Sequence, residues 1–216
     1  MFKAAIFDMD GLLIDSERII MQACIQAASE FGIEYTSNDY AELIGRAAPD
    51  STKIMTAQLG GKQPFKQVMH RVDALLDEST SHFPLKAGAY EIIQYFHKQH
   101  IPCGVASSSY QQVIKHRLSN VGVLDYFTAI TSGDEVKRGK PHPDIYLLAI
   151  KKLGLDPKDC IAFEDSELGA LAAITAGLNV VVVPDLKQPT EFVKDHCFRV
   201  LNSLIEAREL LLEKCA

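Results

Sequence analysis

Short apolar runs alternate along this chain with longer stretches in which apolar residues recur every three or four positions. Ala4 to Phe7, Pro102 to Ala106, Ala129 to Thr131, Ile161 to Phe163 and Val180 to Val183 have the length and apolar character of buried strands. Between them, Ala89, Ile92, Ile93 and Phe96 keep helical spacing, as do Ile145, Leu148 and Ala149, then Leu168, Leu171 and Ala172. This alternation predicts an α/β fold: a doubly wound, Rossmann-like parallel sheet with helices on both faces. In such sheets ligands bind at the carboxyl ends of the strands.

One region breaks the alternation. From Ser16 to His82 the pattern is helical throughout, punctuated by Gly45, Gly60-Gly61 and Pro64. Strand–helix alternation resumes after Phe83 to Gly88. An insertion directly after the first strand sits above that strand's carboxyl end and can act as a lid. Two domains are therefore expected: an α/β core from residues 1–15 and 83–216, and an inserted all-helical cap from residues 16–82.

Composition narrows the function. The 216 residues are 47% hydrophobic and carry a formal net charge of -6. An acidic chain of this kind is not expected to bind nucleic acid nonspecifically or to sit on a membrane surface. No apolar run is long enough to span a bilayer. The acidic pair at Asp8 and Asp10 arrives too early for a signal peptide. Cys24, Cys103, Cys160, Cys197 and Cys215 are scattered and odd in number, suggesting neither a zinc site nor a disulfide framework. A cytoplasmic, monomeric protein is expected.

The candidate chemistry gathers at the predicted strand ends. The first ends in Asp8-Met9-Asp10-Gly11, two carboxylates one residue apart. They repel each other unless a cation sits between them or they divide nucleophile and acid/base roles. The second ends in Ser107-Ser108-Ser109, hydroxyls and amides suited to phosphate oxygens. After the third comes Lys137-Arg138-Gly139-Lys140-Pro141, where a lysine offers a point charge to phosphate. The fourth ends in Phe163-Glu164-Asp165-Ser166. Each signal alone fits a solvated turn or a helix cap. Together they place two acidic clusters, a hydroxyl cluster and a lysine at one sheet edge. That set suits a divalent cation held by carboxylates, a phosphate held by cation, lysine and serine, and a carboxylate aimed at phosphorus.

Asp8-Met9-Asp10-Gly11 with Leu12 to Glu17, then Ser107, then Gly139-Lys140-Pro141-His142-Pro143-Asp144, then Glu164-Asp165-Ser166 with Gly169, resembles the four motifs of the haloacid dehalogenase-like superfamily. The likeness is to its phosphatase and phosphomutase branch with a helical cap. It implies that Asp8 attacks phosphorus and forms an aspartyl phosphate, and that Asp10 protonates the leaving oxygen and then deprotonates water. Ser107 would hydrogen-bond the phosphoryl group, and Lys140 would stabilise negative charge on Asp8 and phosphate. Mg²⁺ would be held by Asp8, Asp165 and the Asp10 carbonyl, with Glu164 supporting it through water.

Substrate choice belongs to the cap. Gly45-Arg46 is similar to a cap segment whose arginine approaches substrate in related sugar-phosphate enzymes. Ser108, Ser109 and Glu17 lie close in sequence to the catalytic ends and are expected to face the substrate. The expected substrate is a small phosphorylated metabolite such as a sugar phosphate. The β-phosphoglucomutase pattern has a histidine where this chain has Ile20, which favours hydrolysis over phosphohexomutase activity. A phosphoacceptor module without turnover is the alternative from another class. Against it stand the inserted cap and the acid/base candidate Asp10.

Overall fold

A computed structural model describes residues 2–46, 48–78 and 83–213. The expected cap boundary at His82 and the cysteine Cys215 lie outside the described residues. The elements run β1 (Ala4–Phe7), α1 (Glu17–Glu30), α2 (Ser37–Ala41), α3 (Ala48–Gln58), α4 (Lys62–Glu78), α5 (Ala89–Lys98), β2 (Cys103–Ser107), α6 (Gln111–Asn120), β3 (Phe127–Ser132), α7 (Asp144–Leu153), β4 (Cys160–Glu164), α8 (Glu167–Thr175), β5 (Asn179–Val182), α9 (Glu191–His196), β6 (Arg199–Val200) and α10 (Leu204–Glu213). The sheet order is β3-β2-β1-β4-β5-β6 and every pairing is parallel. The chain starts in the middle of the sheet, winds out to one edge, then returns past β1 to the other. That reversal falls between β1 and β4, the position at which sheets of this kind bind ligands beyond the carboxyl ends of their strands.

Alternate residues of the strands feed two apolar cores. Ala5, Phe7, Cys103, Val105, Ile161 and Phe163 pack against α5, α6 and α10 on one face. Ala4, Ile6, Ala106, Cys160, Ala162 and Val180 pack against α7, α8 and α9 on the other. Burial on both faces is why these strands read as continuous apolar runs rather than as alternating ones. Phe7 stacks on Phe163 with ring centroids 4.9 Å apart, tying β1 to β4 directly beneath the acidic strand ends. The sixth strand has no counterpart in the apolar pattern. Arg199–Val200 is two residues long, lies at the sheet edge and is only partly buried, so hydrophobicity gives it no signature.

Helices α1 to α4 pack around a third apolar cluster of their own, built from Ala23, Cys24, Ala27, Tyr35, Tyr40, Met55, Leu59, Val68 and Val72. Two chain segments connect them to the sheet. The segments lie antiparallel at Ile14 and Leu85. The Asp15 amide donates to the Pro84 carbonyl (2.9 Å) and the Lys86 amide to the Leu13 carbonyl (2.9 Å).

A charge cluster supports this junction. Asp185, in the loop after β5, accepts from Lys86 Nζ at 2.8 Å and from Arg18 of α1 at 3.0 Å, and its side chain is 2% exposed. Lys86 also lies 3.6 Å from Asp15. Removing one member of a buried ion pair leaves the other uncompensated. Lys86→Met is therefore expected to lower unfolding free energy by about 2 kcal/mol, because Arg18 retains part of the compensation. Urea unfolding of the variant checks this.

Candidate active site

Four strand ends meet at one edge of the sheet. Asp8 follows β1 directly, and its amide donates to the Phe163 carbonyl at 3.0 Å, which carries the β1–β4 ladder one residue further. Ser107 closes β2, Glu164 closes β4 and Asp165 follows it. Lys140 lies in the loop between β3 and α7. Asp8, Ser107, Lys140, Glu164 and Asp165 are all buried.

Lys140 is the electrostatic centre. Its Nζ donates to Asp8 Oδ1 at 2.6 Å and to Glu164 Oε1 at 2.5 Å. Burial pulls the ammonium's pKa down, but Asp8 and Glu164 outweigh it and hold the pKa above its ordinary value. The lysine is thus a permanent cation. The carboxylates nevertheless outnumber it. Burial pushes the Asp8 carboxyl well above the usual range, against the pull of Lys140 and with repulsion from Glu164. Asp165 is pushed the same way by burial, then by Asp8 and Glu164.

Asp8, Glu164 and Asp165 each offer a carboxylate oxygen, and these atoms lie within 4.8 Å of one another. Three buried carboxylates against one ammonium are short of positive charge. All their ligand atoms are hard oxygens, the donor set that Mg²⁺ takes. The residues present fit such an ion.

Glu164 is held more firmly than a surface carboxylate could be. Besides Lys140, its Oε1 accepts from the buried Tyr146 hydroxyl, and its Oε2 accepts from Ser166 Oγ at 3.2 Å. Tyr146 belongs to the apolar stripe of α7, so its spacing marks it only as core. The hydroxyl at the end of that core ring is what reaches the site. Gly169 leaves room for the carboxylate: a Cβ there would lie 2.1 Å from both Glu164 oxygens.

Asp10 sits apart from this group, half-buried. Its Oδ1 accepts from Ser16 Oγ at 2.6 Å and from Arg117, and its Oδ2 accepts from Ser109 Oγ at 2.9 Å. The structure therefore separates the two acids of the first motif. Asp8 faces Lys140, and Asp10 faces hydroxyls and an arginine. Ser107 Oγ accepts from the Ser109 amide at 3.1 Å, which orders the serine turn.

The helical insertion touches this edge of the sheet at Gly45. Ser108 Oγ donates to the Gly45 carbonyl at 3.4 Å. A Cβ on Gly45, whose φ is +76°, would meet Ser166 Oγ at 2.8 Å. Only glycine allows so close an approach at that φ. Glu17 of α1 accepts from the Tyr40 hydroxyl at 2.9 Å. Arg46 is not brought to the site: its side chain is exposed and its Nε donates back to the Glu42 carbonyl at 2.7 Å. Among the described residues, Arg117, Tyr146 and Tyr40 are polar side chains at the site that the motifs do not mark.

Glu17 has its own pH signature. Burial and then the Asp10 charge push its carboxyl up to about 7, with the Tyr40 hydrogen bond opposing them. The folded chain then holds this proton to higher pH than the unfolded chain, so folding stability falls as pH rises from 4.5 to about 7. Glu17→Gln removes that titration. The variant is expected to gain on the order of 2 kcal/mol over wild type between those limits. Denaturant melts at both ends of the range measure it.

The chain is similar to known proteins. The family model described as haloacid dehalogenase-like hydrolase matches residues 5–183. Hexitol phosphatase B of Escherichia coli (strain K12) is 33% identical over 187 residues, 84% of this chain and 83% of that protein. A phosphorylated carbohydrates phosphatase of Thermotoga maritima is 31% identical over 180 residues, 82% of each chain. Among solved structures, a HAD family hydrolase from Deinococcus radiodurans R1 with bound phosphate and sodium has a TM-score of 0.78 at 28% identity. It covers 98% of this chain and 96% of its own. With the parallel sheet, the helical insertion and the strand-end acids in place, the chain belongs to the haloacid dehalogenase-like hydrolases.

Proposed function

We propose that the protein is a Mg²⁺-dependent phosphatase that hydrolyses a small phosphomonoester, a sugar phosphate in the first instance, through a phosphoryl group carried on Asp8. The observation that supports this most directly is the buried Asp8–Lys140–Glu164 constellation with Asp165 beside it. A carboxylate paired with a permanent cation, in a site with room for further positive charge, suits attack on the phosphorus of an anionic phosphate. The division into a core of residues 1–15 and 83–216 and a cap of residues 16–82 belongs to the same reading. The separate apolar cluster of α1 to α4 supports it.

The roles follow from what each group can do. Asp8 attacks phosphorus and forms an acyl phosphate, splitting one difficult displacement into two easier ones. Lys140 offsets the repulsion between that carboxylate and the phosphate. Ser107 Oγ and the serine-turn amides hold phosphoryl oxygens. Asp10 gives a proton to the leaving oxygen and later takes one from water, at hydrogen-bond range once substrate is seated. Asp8, Asp165 and the Asp10 carbonyl would hold Mg²⁺, with Glu164 in support through water. The ion would supply charge neutralisation at the phosphate. Gly45, Ser108, Ser109 and Glu17 line the approach. Arg46 joins them only if its side chain leaves the Glu42 carbonyl.

The test is phosphate release from a panel of sugar and polyol phosphates, with Mg²⁺ and with chelator. Release that requires the metal is expected. No release from any member of the panel would refute the reading. The same reactions decide against a phosphohexomutase if no isomeric phosphate forms when a bisphosphate primer is supplied. Ile20 stands against the mutase alternative, leaving no imidazole at that turn of α1.

A further inference from the structure

Arg117 has no place in the motifs, yet it touches the proposed proton carrier. It projects from α6, a helix whose buried residues are Ile114 and Leu118. Its guanidinium donates to Asp10 Oδ1, and both side chains are largely shielded, at 17% and 18% exposure. The same guanidinium lies over the Phe83 ring, 4.6 Å from the centroid. Phe83 begins the described part of the segment that leads back from the helical insertion to the sheet. An arginine fork stacked on an aromatic face has few orientations left, and the one it keeps here aims at Asp10.

Asp10 needs such help. It lies beyond the end of β1, where an isolated bridge to Ile14 holds its backbone and leaves its side chain to be fixed by other groups. Its other partners are two serine hydroxyls, which rotate freely about their C–O bonds. A planar, always-charged donor is the one group in this set that imposes a direction.

We propose that Arg117 is a positioning residue for the acid/base step: braced on Phe83, it holds the Asp10 carboxyl in the orientation from which it serves the leaving group. The proposal rests on the phosphatase reading above. The contacts of the Arg117 guanidinium are with Asp10 and the Phe83 ring. Arg117 acts through Asp10, and its effect should therefore depend on how much proton donation the leaving group requires.

The experiment compares kcat/KM for Arg117→Ala and Arg117→Lys with wild type, in Mg²⁺, on an alkyl sugar phosphate and on nitrophenyl phosphate. This parameter reports the half-reaction that expels the leaving group. On the alkyl ester Arg117→Ala is expected to lose about 10- to 100-fold, as misplacing a general acid does. On nitrophenyl phosphate, whose leaving group needs no proton, the loss should stay below about threefold. Arg117→Lys, which keeps charge but not the fork, should recover part of the loss. In an Asp10→Ala background Arg117→Ala should add nothing. Equal losses on the two esters, or an undiminished loss without Asp10, would overturn the proposal while leaving the phosphatase reading intact. If Arg117→Ala does not fold, Arg117→Gln is put through the same comparison. A wild type that hydrolyses neither ester overturns both readings.

Discussion

Asp8→Asn is expected to abolish phosphate release, with kcat falling at least about 10⁴-fold, while the protein becomes more stable. An amide has the shape of the carboxylate but is not a nucleophile, so the covalent route closes. Stability moves the other way because Asp8 shares a buried site with Glu164 and Asp165. Removing one of three crowded negative charges relieves repulsion that Lys140 only partly offsets. A gain of about 1 kcal/mol in unfolding free energy measured without metal is expected. A loss of stability together with the loss of activity would point instead to a structural role for Asp8.

Lys140→Met is expected to be damaging on both counts. The ammonium is 1% exposed and contacts Asp8 and Glu164, themselves 8% and 0% exposed. Removing it leaves buried carboxylates without their protein-borne cation, a change that costs about 3–5 kcal/mol when one partner of a buried pair is lost. The sign with pH is definite. Asp8 and Asp165 carboxyls already hold their protons above the usual range through burial, so ionising them in the folded state is unfavourable. The deficit should therefore deepen as pH rises. Added Mg²⁺, binding the folded state, should restore part of the stability of Lys140→Met. Urea titrations in chelator and in Mg²⁺ measure both effects. Equal stability of variant and wild type in chelator would contradict the assignment of Lys140 as the charge that holds this site together.

Much of this was readable in the sequence because the fold buries its strands on both faces. Such strands are plain apolar runs, and each stops abruptly where polar chemistry begins. Asp8, Ser107, Glu164 and Asp165 stand at those stops, so a parallel sheet alone brings them to one edge. Lys140 needed the motif, because its loop has no apolar marker. Arg117 and Tyr146 were not readable. Arg117 reaches Asp10 across 107 positions from a polar helix, and Tyr146 is indistinguishable by spacing from a core ring. Side-chain direction also escapes the pattern. Arg46 follows Gly45 directly, and Gly45 does abut Ser108 and Ser166, yet the arginine turns away. The edge strand Arg199–Val200 is too short and too exposed to carry a signal.

In the proposed mechanism Asp8 carries the phosphoryl group. Acid-quenching wild type during turnover of a sugar phosphate, then mapping peptides by mass, tests it directly. The Asp8 peptide should gain the mass of one phosphoryl group, and the label should vanish on hydroxylamine treatment, as an acyl phosphate does. Turnover with no labelled peptide, or with the label on another residue, would contradict it.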